Sequence, residues 1–238
     1  MIVNNLNDLT KIGLKYKTDK AYFHLFTEFY YDYFNKFLDR PINILEIGIA
    51  NGGSILMLKE FFPKATIYAI DVEEKSVNLN LGENINTYLC NQTDIHTLEN
   101  IIKNLKFDII IDDGSHVISH QLISLGYLFP YLNKNGIYIC EDLHTSFRPS
   151  FIDSELTTLQ VLNNFNLFKT INCNLINEEQ TNYLNNNIDD HIEIYYRTNN
   201  ALECYSCKNI NYDNNTKCKC GIDLSPNDKS ITSIIKHF

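Results

Sequence analysis

No apolar run in the chain approaches the roughly 18 residues that a membrane-spanning helix needs. Positive charge is also scarce. The 20 Lys and Arg against 29 Asp and Glu give a net charge of −9 and a pI near 5.2, which argues against the basic face a nucleic-acid partner requires. The opening stretch MIVNNLNDLTK has neither the basic start nor the apolar centre of a signal peptide, and there is no internal repeat. The seven cysteines are therefore expected in a reducing cytoplasm, as free thiols or on metal. What is present suffices for one ordinary domain. At 238 residues and 44% hydrophobic the chain can bury a full core, with room for a small appendage.

The most informative stretch runs from Phe107 to Asp142. FDIII is an apolar, β-branched run of the kind buried on both faces of a parallel sheet, and it breaks at Asp112-Asp113-Gly114-Ser115-His116. A helical pattern follows through Ile118, Leu122, Leu125 and Leu128, ended by Pro130 and Asn135-Gly136. A second buried strand, IYIC, stops at Glu141-Asp142. Both acidic turns then lie at the carboxyl edge of the sheet, where open α/β folds hold their ligands. With the strands as neighbours about 4.8 Å apart, Asp113, Glu141 and Asp142 converge beside His116. Three carboxylates at one spot repel unless something cationic joins them, and an oxygen-preferring divalent ion such as Mg²⁺ is the natural guest.

The remaining pattern is strand and helix in alternation. Residues 4–15 read as a short helix, and AYFHLFTEFYYDYFNKFL as one longer aromatic helix between the sheet and a partner surface. The first strand, NILEIGI, ends in a glycine turn, Gly48 to Gly52-Gly53-Ser54. Such a turn lets the backbone approach a ligand, and the helix start after it offers free N–H groups. The second strand, TIYAID, ends at Asp71, where an acid can take both ribose hydroxyls. A third strand, INTYLC, leads to Asn91-Gln92-Thr93-Asp94 and a helix to about Leu105. Residues 153–168 read as a helix, INEEQTNYLNNN as a polar loop, and IEIYYR with ALECYSC as a terminal antiparallel hairpin. The glycine turn by itself leaves NAD, FAD and S-adenosylmethionine open. The closing hairpin, in place of a second nucleotide-binding half, favours S-adenosylmethionine.

At this point the sequence resembles a known family. YKTDK, ILEIGIANGGSILMLKEFFPKATIYAID, FDIIIDDGSH, LFPYL, NGIYICEDLHTSF and IEIYYRTNNALEC look like the metal-dependent sugar O-methyltransferases of macrolide biosynthesis, with the cephalosporin hydroxylase-like proteins more distant. The resemblance implies a Rossmann-like class I methyltransferase, α/β, with a seven-stranded, mostly parallel sheet and a C-terminal antiparallel hairpin. It implies S-adenosylmethionine and Mg²⁺ or another divalent ion. By position, Asp113, Glu141 and Asp142 match metal ligands and His116 a general base. Glu46, Gly48 and Asp71 match the cofactor pocket, and Thr18-Asp19-Lys20 an element near it. Ala50, Gly52, Ser54, Asn91, Gln92 and Asp112 complete the expected cofactor contacts, Asp112 either touching the methionine end or orienting its turn. Two positions depart from the pattern: Lys17 stands where the family has glycine, and Asn91 where it has aspartate.

The expected organisation is a helical cap at 1–40, the methyltransferase domain at 41–208 and a cysteine-bearing tail at 209–238. The expected reaction moves a methyl group to a hydroxyl of a sugar, glycan precursor or related polar metabolite, in a cytoplasmic homo-oligomer whose partner is that small-molecule or glycan acceptor. The rival readings are a hydroxylase-type relative with the same metal pocket and an inactive scaffold, which the intact acid set disfavours. A protonated hydroxyl is a poor nucleophile. A divalent ion lowers its pKa, and an imidazole, whose unperturbed pKa is about 6.5, can take the proton. Duller roles are expected elsewhere: Ser115 as a helix N-cap, His120 and His144 structural or solvated, His24 lining pocket or core, and Cys90, Cys140 and Cys173 in the core. Cys204, Cys207, Cys218 and Cys220 could form a tetrahedral structural zinc site, remain free thiols or pair as disulfides.

Overall fold

The computed structural model describes residues 6–198, 201–203, 210–212 and 229–238. The four tail cysteines, and with them the zinc expectation, lie outside these residues. In chain order the elements are α1 (Asp8–Lys15), α2 (Asp19–Tyr22), α3 (Phe26–Phe34), β1 (Asn43–Ile47), α4 (Gly53–Phe61), β2 (Thr66–Asp71), α5 (Glu74–Val77), β3 (Ile85–Leu89), α6 (Ile95–Ile102), β4 (Phe107–Asp112), α7 (Ile118–Leu128), β5 (Leu132–Cys140), α8 (Thr158–Phe168), α9 (Glu178–Asn187), β6 (Glu193–Thr198), β7 (Ala201–Glu203), β8 (Ile210–Tyr212) and β9 (Lys229–Lys236).

A seven-stranded sheet runs in the order β3-β2-β1-β4-β5-β9-β6, its first five strands parallel and β9 antiparallel to both of its neighbours, β5 and β6. This is the expected Rossmann-like class I architecture. Alternation along the strands explains why it is filled on both sides. On β4, Ile110 packs with Leu98, Leu122 and Leu125 on one face, while Ile109 and Ile111 pack with Phe26, Tyr30 and Phe34 on the other. The reversal of strand order between β1 and β4 leaves a crevice at the carboxyl edge, the usual ligand position of such sheets.

Several local expectations change. The long aromatic helix is two, because Leu25 takes the left-handed conformation (φ +58) and starts α3 afresh. INEEQTNYLNNN is a helix, α9. Asn177 and Gln180 cap it reciprocally, and Leu184 anchors it in the core. Helix α8 starts at Thr158, later than expected. Asp153 instead caps the neighbouring α7, accepting from the Ser119 amide at 2.9 Å. The N-cap of α7 is Val117, not Ser115, whose hydroxyl accepts from the Val117 amide at 3.3 Å and bonds His120.

The largest change concerns the antiparallel end. β6 pairs with β9, and of the expected partner strand the described residues Ala201–Glu203, β7, pair with β8 in a separate two-stranded sheet. The amphipathic segment SITSIIKHF thus supplies the strand between β5 and β6. Its Ile231, Ile234 and Ile235 are buried, and two of its hydroxyls find partners: Thr232 with Tyr30 (2.8 Å) and the Cys140 carbonyl (3.1 Å), and Ser230 with His24 (2.7 Å).

Candidate active site

The glycine turn after β1 and the acidic turn after β4 are laced together at the backbone. Asp113 N–H donates to the Ile47 carbonyl (3.0 Å), while Gly48 N–H ties the glycine turn to β2 through the Ile70 carbonyl (2.8 Å). Gly48 has φ +93, and a Cβ there would stand 2.1 Å from the Asp113 carbonyl oxygen, so only glycine lets the two turns meet. Asp71 organises the same turn. One of its oxygens accepts from Ile49 N–H (2.7 Å) and Ala50 N–H (3.1 Å), and the other from Glu73 N–H (2.9 Å). It is therefore a turn-builder as well as the expected ribose acid.

Cavities open on either side of Gly48. One, about 340 Å³, is lined by Asp71, Cys90, Asn91, Gln92, Ser115 and His120, among others. His120, expected to be structural or solvated, is thus on its wall. Asn91 turns its side-chain oxygen to Thr93, accepting from that residue's amide and hydroxyl, both at 3.0 Å. Gln92 bridges to Ser115 N–H (2.9 Å), Ser124 (3.0 Å) and Asp112 (3.1 Å). Asp112 is buried, accepting also from the Tyr138 hydroxyl at 3.1 Å, and burial pushes its carboxyl up to about 7. Its carboxylate thus accepts from two side chains of the fold, Gln92 and Tyr138.

The other cavity, about 220 Å³, is lined by Thr18, Asp19, Lys20, Glu46, Ala50, Ser54 and Asp113, among others. The TDK triplet is thus brought beside the glycine turn. Lys17 before it takes φ +56, which is the physical reason a glycine suits that position. Gly52 (φ +79) is the N-cap of α4, whose first turn carries Ser54. Glu46 is wholly buried and neither of its oxygens makes a good hydrogen bond. Burial raises its carboxyl to about 7 against the opposing pull of Lys20 and the Ser54 hydroxyl.

At the acidic turns the expected convergence occurs, β4 and β5 being parallel neighbours with Asp112 opposite Cys140. Donor atoms of Asp113, His116 and Asp142 lie within 4.8 Å of one another. Two of these three residues hold left-handed backbone, His116 at φ +59 and Asp142 at φ +54, a strained conformation for non-glycine residues that concentrates at functional sites. Glu141 points differently. It is buried, accepts from Lys20 at 2.9 Å, and leaves its other oxygen unpaired. Burial raises the carboxyl of Glu141 well above its ordinary range, and that of Asp113 too is raised by burial despite the pull of Lys20.

Asp142 behaves in the opposite sense. Burial penalises its charge, but His24, His116, His144 and Lys20 outweigh that penalty and hold its carboxyl low. The three imidazoles ring the carboxylate at 3.8, 3.6 and 3.8 Å. His24 and His144, given dull roles from sequence, are part of the centre. His144 follows Asp142 by two residues in the motif itself. His24 arrives because the helix breaks at Leu25, and β9 fixes its ring through Ser230.

A family model described as a methyltransferase domain matches residues 38–199. The chain belongs to the methyltransferase domain family. Among its relatives, mycinamicin VI 2''-O-methyltransferase of Micromonospora griseorubida is 36% identical over 153 residues, 60% of this chain and 38% of that protein. The 8-demethyl-8-alpha-L-rhamnosyl tetracenomycin-C 2'-O-methyltransferase of Streptomyces olivaceus is 34% identical over 151 residues, 60% of this chain and 39% of that protein. Among solved structures, the MycE methyltransferase from the mycinamycin biosynthetic pathway, in complex with Mg, SAH and mycinamycin VI, is similar with a TM-score of 0.67 and 30% identity. The match covers 80% of this chain and 52% of that one. The chain thus spans about two fifths of the length of these two sequence relatives and half of that structure. No helix among the described residues is long and apolar enough to cross a membrane.

Proposed function

We propose that this methyltransferase-family chain transfers a methyl group from S-adenosylmethionine to a hydroxyl of a sugar or sugar-bearing small molecule, with a divalent ion, Mg²⁺ in the first instance, at its acidic centre. The observation that carries the reading is the meeting of Asp113, His116 and Asp142 at the sheet edge, beside two cavities parted by Gly48. Support comes also from relatives named as sugar O-methyltransferases and from a similar structure that holds Mg and SAH.

The residues present fit both groups. For a cation there are two carboxylates and buried oxygens of Glu141 and Asp142 without a hydrogen-bond partner, and carboxylates are the donors that Mg²⁺ prefers. For the cofactor, Asp71 and Asn91 line the larger cavity, while the carboxylate of Glu46 in the smaller one, which has no hydrogen-bond partner, suits an ammonium group. When bound, the ion acidifies and orients a hydroxyl and the cofactor presents an electrophilic methyl group.

The chain's own part is positioning and proton handling. Asp113 and Asp142, with Glu141 behind them, would hold the ion. His116 Nε2 lies 3.6 Å from Asp142 Oδ2, so the carboxylate steadies the imidazolium formed when His116 accepts the acceptor's proton. Asp112, Gln92 and Tyr138 hold the turn from below. A nearby general base contributes roughly 10² to 10⁴ in rate. His116→Ala should lose that much in an assay of S-adenosylhomocysteine release with a glycosylated acceptor, and chelation should abolish turnover while calorimetry still finds the cofactor bound. Full turnover in chelator, with His116→Ala matching wild type, would refute the mechanism.

A further inference from the structure

Lys20 is 1% exposed, a lysine buried among acids that the proton-handling scheme leaves unused. Its ammonium donates to Asp113 Oδ2 and to Glu141 Oε2 (2.9 Å), and stands 3.7 Å from Glu46 Oε1. One cation therefore answers three carboxylates. Their roles differ: Asp113 belongs to the acidic centre and also lines the smaller cavity, Glu141 stands at the end of β5 behind that centre, and Glu46 is on the wall of that cavity. These acids hold the lysine charged despite burial, which opposes it. An ammonium has three donors and carries no acceptor, so a shared acid is the limiting partner.

Asp113 is the contested one, since its carboxylate also faces His116 and Asp142 within the 4.8 Å cluster. An ammonium and a divalent cation on the same buried carboxylate repel each other strongly, because little solvent screens them. We propose that Lys20 is a tethered counter-cation that competes with the divalent ion for Asp113, sets the affinity of the centre for that ion, and turns from Asp113 toward Glu46 when the ion binds. The inference rests on the reading that the acidic centre holds a divalent ion. It adds that ion occupancy changes the charge facing Glu46 in the smaller cavity, which Asp113 also lines.

The test is calorimetric titration of Mg²⁺ and of Mn²⁺ into wild type and Lys20→Met. Wild type must break a charge-assisted hydrogen bond to admit the ion, so Lys20→Met should bind it about tenfold to a hundredfold more tightly. It should also melt lower without ion and gain more in melting temperature from added Mn²⁺. A merely structural lysine predicts the reverse, because loosening the acids weakens their hold on a metal. Should Lys20→Met not fold, a crystal of wild type soaked in Mn²⁺ decides. An anomalous peak between Asp113 and Asp142, with the Lys20 ammonium withdrawn from Asp113 and in contact with Glu46, supports the proposal. Unchanged or weaker binding in a folded Lys20→Met, or an ammonium still on Asp113 beside bound Mn²⁺, overturns it and leaves the ion-dependent reading standing. Failure of both proteins to bind either ion overturns the two together.

Discussion

Gly48→Ala is the most direct probe of how the cofactor turn and the acidic turn depend on one another. The new methyl carbon would lie 2.1 Å from the Asp113 carbonyl oxygen and 2.9 Å from its carbon. Relief to ordinary contact, about 3.2 Å or more, requires one turn to move by about 1 Å. Neither moves freely, since Gly48 is bonded to Ile70 and Asp113 to Ile47. The positive φ of +93 adds a penalty of about 1–2 kcal/mol for a residue with a Cβ, and overpacking of a rigid site typically adds about 1–3. The sum, about 2–5 kcal/mol, should appear as a lower urea midpoint with an unchanged slope. Because the displaced group is the backbone of Asp113, affinity for S-adenosylhomocysteine and for Mn²⁺ should fall together. A variant within about 0.5 kcal/mol of wild type, binding both as wild type does, would show that the turns yield at little cost and that the close approach has no role.

Asp71→Ala removes an acceptor of three backbone N–H groups. It should weaken cofactor binding by about 1–3 kcal/mol and lower the melting temperature too; unchanged calorimetric affinity would remove Asp71 from the site. Lys17→Gly relieves a left-handed non-glycine residue (φ +56) and should stabilise the fold by up to about 1 kcal/mol in urea unfolding. His237, stacked on Phe129 and bonded to Tyr183, is held below its ordinary pKa of 6.5 chiefly by burial. A depressed histidine contributes stability that is complete above about pH 6.5 and lost as the pH falls. Thermal scans should therefore show that part of the wild-type loss between pH 8 and pH 5 disappears in His237→Gln.

The parallel half of the sheet and its acidic edge were legible in the residues. Runs such as TIYAID and FDIIID are apolar on both faces, and a strand of that kind is stable only in the middle of a sheet covered on both sides. The turns after them then fall at one edge, which is why Asp71, Asp113 and Asp142 could be placed there from the residues alone. Helix α9 was missed: Asn177 and Gln180 cap it, but its polar surface read as a loop. What the sequence alone did not determine is the company these residues keep. SITSIIK alternates no more like a strand than like a helix, and it becomes β9 between β5 and β6, where Tyr30, His24 and Cys140 supply partners for two of its hydroxyls. Lys20 and Glu141 are 121 positions apart, and His24 meets Asp142 only after a helix breaks at Leu25. Local propensity carries no term for such encounters. They are decided by packing, which brings distant charges into one poorly solvated place where opposite charges must answer one another.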